Sequence, residues 1–433
     1  MTSISQAVES AQQRFSARNP ESLEHYNQSC HFLPGGNTRT VIWHEPYPLR
    51  IVNGHDAVIC DADGHEYVDF LGEYSAGLFG HNRAELLETS METMQKGLSF
   101  GAHNLYEGEF ARLLTERFEA IERVRFTNSG TEANLMAIST SREVTGRSKV
   151  VVFRGGYHGG VFYFGQHDSP LNAPFPFIVA PYNDLDATRA LLYADADNIA
   201  CVLVEPMQGS GGCIPATKEF LHGLRATCSE IGALLMFDEV MTSRLGAGGA
   251  SGYYGVHPDL ITLGKYLGGG HSFGAFGGSA ELLSRFDPAK PDALIHAGTF
   301  QNNVLTMASG ITVLSKVFTT EIADAHFTRG QMWRDRLNHL LQEQRLGFRV
   351  TGLGSLLNIH PTTNPISSIR DLQQVDDRLR LLLFLGLLER GIYLARRGFM
   401  SLSLALSNQD LDKFESALLE VASSLQPLMD SDE

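Results

Sequence analysis

The sequence predicts an α/β fold, with a mostly parallel seven-stranded sheet in a large domain and a smaller α+β domain after it. Strand-like apolar runs alternate with helical patterns between about residues 74 and 302. Apolar runs separated by helices are typical of parallel strands that are covered on both faces. After residue 308 the pattern changes to long helices with short strand-like segments at about 348–360 and 401–406.

We therefore expect three regions: an N-terminal segment 1–73 that joins the small domain, a large domain 74–307 and a small C-terminal domain 308–433. In the first region, apolar residues at helical spacing on both sides of Asn19-Pro20 predict a helix pair. Residues 58–70 predict a β-hairpin with Asp63-Gly64 at its turn.

The seven predicted strands cover residues 124–127, 149–153, 177–180, 201–204, 234–237, 260–263 and 273–276. Helical patterns occupy most of the gaps, for example at 131–145 and 218–231. Ligands bind such sheets at the carboxyl ends of the strands. The polar residues that follow these runs are Ser129, Tyr157, Glu205, Asp238 and Lys265.

Composition excludes several classes of protein. Hydrophobic residues make up 43% of the 433 residues, and the mean hydropathy is -0.10, so we expect a soluble globular protein. The net charge of -15 argues against nucleic acid and anionic membranes as partners. The five cysteines are odd in number and contain no C-x-x-C pair, which favours reduced thiols in the cytoplasm and no zinc site. No signal peptide or membrane span is predicted.

Lys265 is the most informative single residue, because it follows a buried strand and precedes three consecutive glycines, Gly268 to Gly270. Burial disfavours an ammonium ion and lowers its pKa, which makes lysine a nucleophile that forms Schiff bases with carbonyls. Glycines nearby let the backbone approach a flat ligand. The alternative is a turn lysine in a glycine-rich loop.

Residues 126–134, FTNSGTEAN, close a strand and open a helix. Ser129 and Glu132 fit a capping box, which is the structural interpretation. The functional interpretation is that Ser129, Gly130 and Thr131 hold a phosphate at the helix N-terminus. No Walker loop and no G-x-G-x-x-G helix start occurs in the chain.

Two further motifs place polar groups at strand ends. In GGYHGG, Tyr157 can stack on a planar ring, unless the segment is simply a flexible loop. Glu205 begins EPMQG, and Asp238 follows the apolar run 234–237. A buried carboxylate needs a cation or several donors, and a pyridinium nitrogen would supply the cation. The alternative for Asp238 is a carboxylate that caps a neighbouring helix.

Together these residues fit pyridoxal 5′-phosphate (PLP), which needs a lysine, an acid for the ring nitrogen, an aromatic plate and a phosphate cradle. The motifs NSGTEAN, GGYHG, EPMQG, FDEVMTSR, LGKYLGGG and AGTFQNN support this. Over nearly its whole length the chain resembles the class III (ω-type) aminotransferases of PLP fold type I. Within them it resembles the branch shared by glutamate-1-semialdehyde aminomutase and the β-phenylalanine-type β-amino acid aminotransferases.

The resemblance implies roles for specific residues. Lys265, Asp238 and Tyr157 would be catalytic, and Arg39, Arg397 and Tyr74 would bind substrate. The cofactor would be held by Ser129, Gly130, Thr131, Tyr157, His158, Glu205, Gln208, Asp238, Val240, Lys265 and Thr299, with no metal. Thr299 would bind the phosphate of the neighbouring subunit's cofactor, which implies a homodimer with active sites at the interface. For Arg39 and Arg397 the alternative is an ordinary ion pair.

The expected reaction is transfer of the amino group of a β-amino acid, an aromatic one being an option, to a 2-oxo acid such as 2-oxoglutarate. One alternative is an aminomutase that isomerises glutamate 1-semialdehyde; another is a binding or regulatory module built on the same fold. The sequence departs from the aminomutase pattern at PGGNTRT, at DEVMTSR and at His271-Ser272-Phe273. These departures weaken the aminomutase interpretation.

Overall fold

The computed structural model describes residues 3–430. Its α-helices are α1 (Ile4–Arg18), α2 (Pro20–Cys30), α3 (Ala84–Lys96), α4 (Leu105–Arg117), α5 (Gly130–Thr145), α6 (Leu185–Ala194), α7 (Lys218–Ile231), α8 (Gly249–Tyr254), α9 (Ala280–Leu283), α10 (Val304–Thr312), α11 (Thr320–Glu343), α12 (Asp377–Glu389) and α13 (Asn408–Asp430). None of the helices within this range is long and apolar enough to cross a membrane.

The strands are β1 (Ile51–His55), β2 (Val58–Asp61), β3 (Glu66–Asp69), β4 (Arg123–Thr127), β5 (Lys149–Phe153), β6 (Gly156–Tyr157), β7 (Tyr163–Phe164), β8 (Phe177–Ala180), β9 (Ile199–Val204), β10 (Met207–Gln208), β11 (Ile214–Pro215), β12 (Leu234–Asp238), β13 (Leu260–Gly264), β14 (Gly274–Gly278), β15 (Arg349–Leu353), β16 (Leu356–His360), β17 (Ile392–Tyr393) and β18 (Phe399–Ser401).

The largest sheet has seven strands in the order β4-β14-β13-β12-β9-β5-β8. Strands β8, β5, β9, β12 and β13 pair in parallel. Strand β14 runs antiparallel to both of its neighbours, β13 and β4. The predicted seven-stranded, mostly parallel sheet is therefore confirmed, with one reversed strand that the sequence did not reveal.

Apolar side chains cover both faces of this sheet. Val151 of β5 and Val202 of β9 belong to a core that includes helix α7. The alternate residues Val150 and Leu203 belong to a second core, which includes Ile138 of α5. Successive strand residues point to opposite faces, so a strand that is buried on both sides must be apolar throughout. This explains the unbroken apolar runs in the sequence.

Strand β14 begins and ends later than the predicted strand at 273–276. The prediction missed its last residues, Gly277 and Gly278, because glycine is a weak strand former. Glycine is required there by close backbone contacts. A Cβ atom on Gly278 would lie 2.4 Å from the carbonyl oxygen of Asp259, and one on Gly274 would lie 2.1 Å from that of Ser129. The strand therefore contains glycines, despite their low strand propensity, because a larger residue would collide with the neighbouring backbone.

The N-terminal segment packs against the C-terminal part of the chain. Helix α2 begins with Pro20, as the break in the pattern predicted. Strands β2 and β3 form the predicted hairpin, with Ile59 opposite Tyr67. Strand β3 also pairs in parallel with β17, and Phe15, Tyr67 and Trp333 belong to one apolar cluster. The proposed division of the chain at residues 73 and 307 stays a prediction.

Strand β18 pairs with β16 in a three-stranded sheet and ends at Ser401, so the strand predicted at 401–406 is wrong in its extent. Ser401 lies opposite Leu356, which is the first residue of β16, and no partner strand continues beyond it. The next carbonyl, that of Leu402, accepts a hydrogen bond from Arg244. The strand propensity of residues 401–406 could not show that β16 ends opposite Ser401 and offers no pairing partner to the residues after it.

Candidate active site

A cavity of about 1080 Å³ opens at the carboxyl edge of the large sheet. Polar residues at or just after the ends of strands β4, β5, β9, β12 and β13 contribute to its wall, together with residues from other parts of the chain. The predicted site residues in the wall are Arg39, Tyr74, Ser129, Gly130, Thr131, Tyr157, His158, Glu205, Asp238, Val240, Lys265 and Arg397. The geometry of parallel strands, whose ends meet at one edge, brings these distant segments together.

Lys265 is the first residue after β13 and has a left-handed backbone, with φ of 54°. Its Nζ atom donates a hydrogen bond to the carbonyl oxygen of Tyr74. Burial lowers the pKa of its ammonium group to about 8; the charge of Arg397 acts in the same direction and that of Asp238 opposes it. A sizeable fraction of this amine is therefore neutral near physiological pH and available as a nucleophile.

Asp238, the last residue of β12, is 5% exposed. Its Oδ2 atom accepts hydrogen bonds from Nδ1 of His158 at 2.8 Å and from Nδ2 of Asn134 at 2.9 Å. Its Oδ1 atom accepts the backbone N–H of Val240 at 3.0 Å. Two carboxylate oxygens offer about four acceptor positions, so these three donors leave room for one more from the cavity.

Asn134 is a part of this network that the sequence reasoning did not single out. The side chain is buried on α5, donates to the carbonyl oxygen of His158 at 3.0 Å and accepts the hydroxyl of Thr262 at 2.8 Å. Because the Asp238 carboxylate can only accept, the amide nitrogen of Asn134 must face it, which leaves the amide oxygen to accept from Thr262. The available signal was an asparagine one turn into the helix, at a position where polar residues usually stay exposed.

Glu205 follows β9 and holds the glycine-rich loop around Tyr157. Its two oxygens accept the backbone N–H groups of Tyr157 at 2.9 Å and Gly209 at 3.0 Å. Burial raises the pKa of its carboxyl group to about 7, and the nearby charge of Asp238 also raises it. The carboxyl group therefore orients backbone amides and titrates near neutrality. The Tyr157 ring that it positions remains 44% exposed.

The N-terminus of α5 also lines the cavity. Ser129 caps it by accepting the backbone N–H of Glu132 at 3.1 Å. The predicted capping box is only half formed, because Glu132 accepts the N–H of Asn128 at 2.7 Å instead of that of Ser129. A Cβ atom on Gly159 would lie 2.2 Å from Oγ1 of Thr131, so the loop must be glycine there. Free N–H groups and the helix dipole favour an anion at this end.

The two arginines differ in their surroundings. Arg39 forms an ion pair with Glu73, with Nη1 and Oε1 2.8 Å apart. The guanidinium of Arg397 lies over the rings of Tyr74 and Phe399, 5.3 and 5.5 Å from their centroids. Its Nε atom is buried without a hydrogen-bond partner among residues 3–430. Arg39 thus has a carboxylate partner within the chain, whereas no ion pair to Arg397 is found in the described part of the chain. The predicted substrate-binding roles of both arginines stay predictions.

Two predicted residues lie outside the cavity wall. Gln208 is buried behind it, where its Nε2 donates to the carbonyl oxygen of Arg154 at 2.9 Å. Its Oε1 has no partner within the described residues, and a Cβ atom on Gly155 would lie 2.5 Å from it. Thr299 is exposed and does not reach the cavity of its own chain. Its predicted role in a neighbouring subunit stays a prediction.

A second residue that the sequence reasoning missed is Arg244, which is fully buried. It donates to the hydroxyls of Ser355 at 3.1 Å and Ser401 at 2.8 Å, and to the carbonyl oxygens of Ser75 and Leu402. Burial lowers the pKa of its guanidinium to about 9, so it remains a cation at pH 7. Ser75 is next to Tyr74, and Ser401 is two residues after Phe399. Arg244 therefore connects the edge of the large sheet to the part of the cavity wall where Arg397 packs on these two rings.

The comparison with known proteins agrees with this geometry. Residues 41–414 match the model of the family described as aminotransferase class-III. The chain is 49% identical, over 96% of its length and 95% of the relative's, to the β-phenylalanine transaminase of Variovorax paradoxus. The chain belongs to the class III aminotransferases. It is therefore a PLP-dependent transaminase.

Solved structures extend the comparison. The crystal structure of the Variovorax paradoxus β-phenylalanine aminotransferase superposes with a TM-score of 0.97 at 48% identity, covering 98% of this chain and 99% of the other. A transaminase with PLP bound gives a TM-score of 0.85 at 31% identity, covering 94% and 99%. A glutamate-1-semialdehyde aminomutase from Pseudomonas aeruginosa PAO1 gives 0.89 at 24%, covering 98% of each chain, and shows the fold alone. The predicted PLP fold type I is confirmed.

The residues of this aminotransferase fit PLP. The Lys265 amine has a lowered pKa, Asp238 keeps an acceptor position for a ring N–H, and the start of α5 favours a phosphate. Close contacts at Gly130 and Gly159 would reject any side chain from the cavity floor, where a flat ring needs room. The cavity therefore has the amine, acid, aromatic and anion-binding groups in one place.

Proposed function

We propose that this aminotransferase moves the amino group of a β-amino acid, an aromatic one such as β-phenylalanine being an option, to a 2-oxo acid such as 2-oxoglutarate. The observation that carries the proposal is the 49% identity to a β-phenylalanine transaminase over 96% of the chain. The cavity supports it, because Arg39 and Arg397 both line the wall that holds Lys265. A carboxylate can pair with either guanidinium.

The groups of the chain have distinct roles in this proposal. When bound, PLP takes up the electrons that remain on the substrate carbon after its proton leaves. The Nζ atom of Lys265 removes that proton as a base and returns it as an acid, which its pKa of about 8 allows in both directions. Asp238 holds a proton on the ring nitrogen. Tyr157 would cover the ring face, and Ser129 and its helix would hold the phosphate.

The two arginines answer a geometric requirement. A β-amino acid carries its carboxylate one carbon further from the amine than an α-amino acid does. A single fixed guanidinium therefore cannot hold the β-amino acid and the carboxylate beside the carbonyl of a 2-oxo acid in the same pose. Arg39 lies in the N-terminal segment and Arg397 precedes β18, so the cavity offers two docking points on separate segments.

We further propose that the enzyme is a cytoplasmic homodimer. An exposed apolar surface around Thr299 supports the dimer, because Ile295 is 92% and Phe300 63% exposed on the single chain. Leu105, at 95% exposure, adds to the exposed apolar surface of the chain. The cytoplasmic assignment rests on the five cysteines, all of which are free thiols.

The deciding experiment is an amino-donor screen of the purified holoenzyme with 2-oxoglutarate. We expect β-phenylalanine and related β-amino acids to be converted faster than the corresponding α-amino acids. The same preparation should be offered glutamate 1-semialdehyde without an acceptor. Isomerisation of the semialdehyde, with no turnover of any β-amino acid, would establish the aminomutase alternative.

A further inference from the structure

The segment Gly72–Ser75 has an unusual backbone conformation beside the cavity, whose wall includes its residues Glu73 and Tyr74. Gly72, Glu73, Tyr74 and Ser75 have φ values of 52°, 48°, 52° and 77°. This left-handed region is unfavourable for residues that carry a Cβ atom. Three of the four residues carry one, so the conformation persists only because the surroundings impose it.

The conformation fixes the direction of the Tyr74 carbonyl group. Its oxygen accepts a hydrogen bond from Nζ of Lys265, the amine proposed to hold the cofactor. A peptide group is planar, so the direction of its carbonyl follows from the φ and ψ angles beside it. In an extended or right-handed conformation the same oxygen would point elsewhere. The left-handed segment therefore places an acceptor where the lysine amine can reach it.

Asp69 stabilises the start of this segment. It is the last residue of β3 and is 6% exposed. Its Oδ1 atom accepts the backbone N–H groups of Leu71 at 2.8 Å and Gly72 at 3.0 Å. These two amides directly precede Glu73, so the carboxylate fixes the direction in which the chain leaves the strand and enters the left-handed segment.

The other oxygen of Asp69 is fixed as well. Its Oδ2 atom lies 3.0 Å from Nε2 of His81, and because a carboxylate can only accept, the ring donates. The ring packs against Gly54, where a Cβ atom would lie 2.8 Å from it. Asp69 and His81 both lie outside the cavity wall. Any effect of Asp69 on the reaction must therefore pass through the segment that it holds.

The far end of the segment is also held. The carbonyl oxygen of Ser75 accepts from Arg244 at 3.3 Å. The backbone of Ser401 packs so closely that a Cβ atom on Gly72 would lie 2.9 Å from its carbonyl oxygen. With contacts at both ends, the Tyr74 carbonyl between them has little freedom to turn.

We propose that Asp69 is a positioning residue for the Lys265 amine. It holds the left-handed segment, and the Tyr74 carbonyl accepts one N–H of the amine whenever the amine is not bonded to the cofactor. A neutral amine has two N–H bonds and one lone pair, so this contact leaves the lone pair free for the proton of the substrate carbon. A base must lie within hydrogen-bond reach of that proton. The inference rests on the role proposed for Lys265 and identifies what sets its position.

Asp69→Ala tests the proposal in the holoenzyme, because it removes the acceptor of both N–H groups. Visible absorption would follow a single half-reaction with β-phenylalanine and separate its limiting rate from the apparent Kd. The limiting rate should fall roughly 10- to 100-fold, since misplacing a reacting group by about 1 Å costs up to about 100-fold. The apparent Kd should stay within about twofold, because no group that contacts the donor is removed. With a donor deuterated at the carbon that carries the amine, the isotope effect should exceed that of the wild type.

Asp69→Asn is the conservative variant. Its amide oxygen can still accept the N–H groups of Leu71 and Gly72, so most of the limiting rate should return. A loss as large as that of Asp69→Ala would mean that the negative charge matters and the hydrogen bonds do not. That result would overturn the proposal.

Gly72→Ala tests the same segment without altering Asp69, and it serves if Asp69→Ala does not fold. The new Cβ atom would collide with the carbonyl oxygen of Ser401 at a residue whose φ is 52°, so the segment must shift. The limiting rate should fall here too. A wild-type rate in this variant would contradict the proposal.

Asp61→Ala is the matched control. Asp61 is the last residue of β2, is 2% exposed and lies outside the cavity wall. It accepts the backbone N–H of His65 at 2.8 Å and lies 3.1 Å from Nδ1 of that ring. We expect a comparable loss of thermal stability with a wild-type limiting rate. Equal slowing in both alanine variants would show that lost stability explains the effect, and the proposal would be wrong.

These outcomes are separable from a failure of the proposed function. If the wild type did not convert β-phenylalanine, only the proposed substrate would be contradicted, and the fastest donor of the screen would take its place in every variant. A reduced adduct on another lysine would refute the assignment of Lys265 itself. A failure of the positioning role would instead leave both the adduct on Lys265 and the turnover of the wild type intact.

Discussion

Nδ1 of His158 lies 2.8 Å from Oδ2 of Asp238, and the two residues are 2% and 5% exposed. A carboxylate can only accept a hydrogen bond, so the ring carries its proton on Nδ1. Asn134 donates to the same oxygen. The fold thus supplies Asp238 with donors before any ligand binds, which keeps an unpaired buried carboxylate from destabilising the sheet edge.

Asp238→Asn should preserve the fold and remove most of the activity. An amide cannot hold the proton of a pyridinium nitrogen, so we expect kcat to fall by about 10²- to 10⁴-fold, the usual range for loss of an acid or base. Steady-state kinetics with a circular dichroism spectrum would measure both effects. Rates near those of the wild type would mean that Asp238 is only a structural carboxylate.

Lys265 should carry the cofactor. Borohydride reduction and peptide mapping should place the pyridoxyl group on this residue, and Lys265→Ala should abolish turnover. The neutral amine is the nucleophile and reaches half of its maximum at about pH 8. The rate at which cofactor-free protein captures PLP should therefore rise with pH below 8 and level off above it.

An exposed lysine is the reference for that pH profile. The ε-amine of Nα-acetyllysine has an ordinary pKa of about 10.4, so the rate of its reaction with PLP should keep rising well past pH 9. A protein profile with the same late rise, or a reduced adduct on another lysine, would contradict the assignment of Lys265.

Arg39→Ala and Arg397→Ala should impair the two half-reactions unequally. Loss of a charge-assisted carboxylate contact costs a few kcal/mol, on the order of a hundredfold in kcat/KM. We expect the larger loss at Arg397, which has no carboxylate partner to release among residues 3–430. Lysine should substitute poorly there, because it cannot form the planar fork or stack on Tyr74 in the same way. Single-turnover kinetics of each half-reaction would decide; equal losses in both would argue against two docking points.

Thr299 should act across the proposed dimer interface. Subunits that carry Lys265→Ala can be mixed with subunits that carry Thr299→Glu, whose added charge should repel a phosphate. A hybrid dimer would then contain one site with both native residues, and activity should return on mixing. If Thr299 serves its own chain, mixing would restore nothing. A fully active monomer in sedimentation would also exclude the interface role.

Arg244→Met should destabilise the protein whether or not substrate is present. It would leave the buried carbonyl group of Ser75 without its donor and remove hydrogen bonds to the carbonyl of Leu402 and to the hydroxyls of Ser355 and Ser401, which should cost about 3 kcal/mol of unfolding free energy. Urea denaturation would measure this. Arg14→Met, which breaks an exposed pair with Glu389, is the control and should cost less than about 1 kcal/mol.

The amino-acid sequence was sufficient to predict those parts of the fold that depend on local hydrophobic pattern and turn residues. Apolar runs marked the seven strands of the main sheet, and Asn19-Pro20 marked the break between α1 and α2. The motifs around Lys265 and Asp238 were sufficient for the cofactor, because a lysine, an acid and a phosphate loop at strand ends have few other uses together. Local propensity and residue chemistry act over a few residues, so a sequence displays them directly.

Contacts between distant segments were decided only in three dimensions. The hydrogen bonds of Asn134 to Asp238 and of Arg244 to Ser355 join residues 104 and 111 positions apart. The reversed strand β14 and the early end of β18 likewise depend on strands from other segments, β4 and β16. The same holds for Arg39, which pairs with Glu73 of a left-handed segment. Apart from Gly72, the sequence of that segment contains no glycine or turn motif that would predict this conformation. Tertiary packing imposes such conformations against local preference, and a single sequence carries no record of which neighbour imposes them.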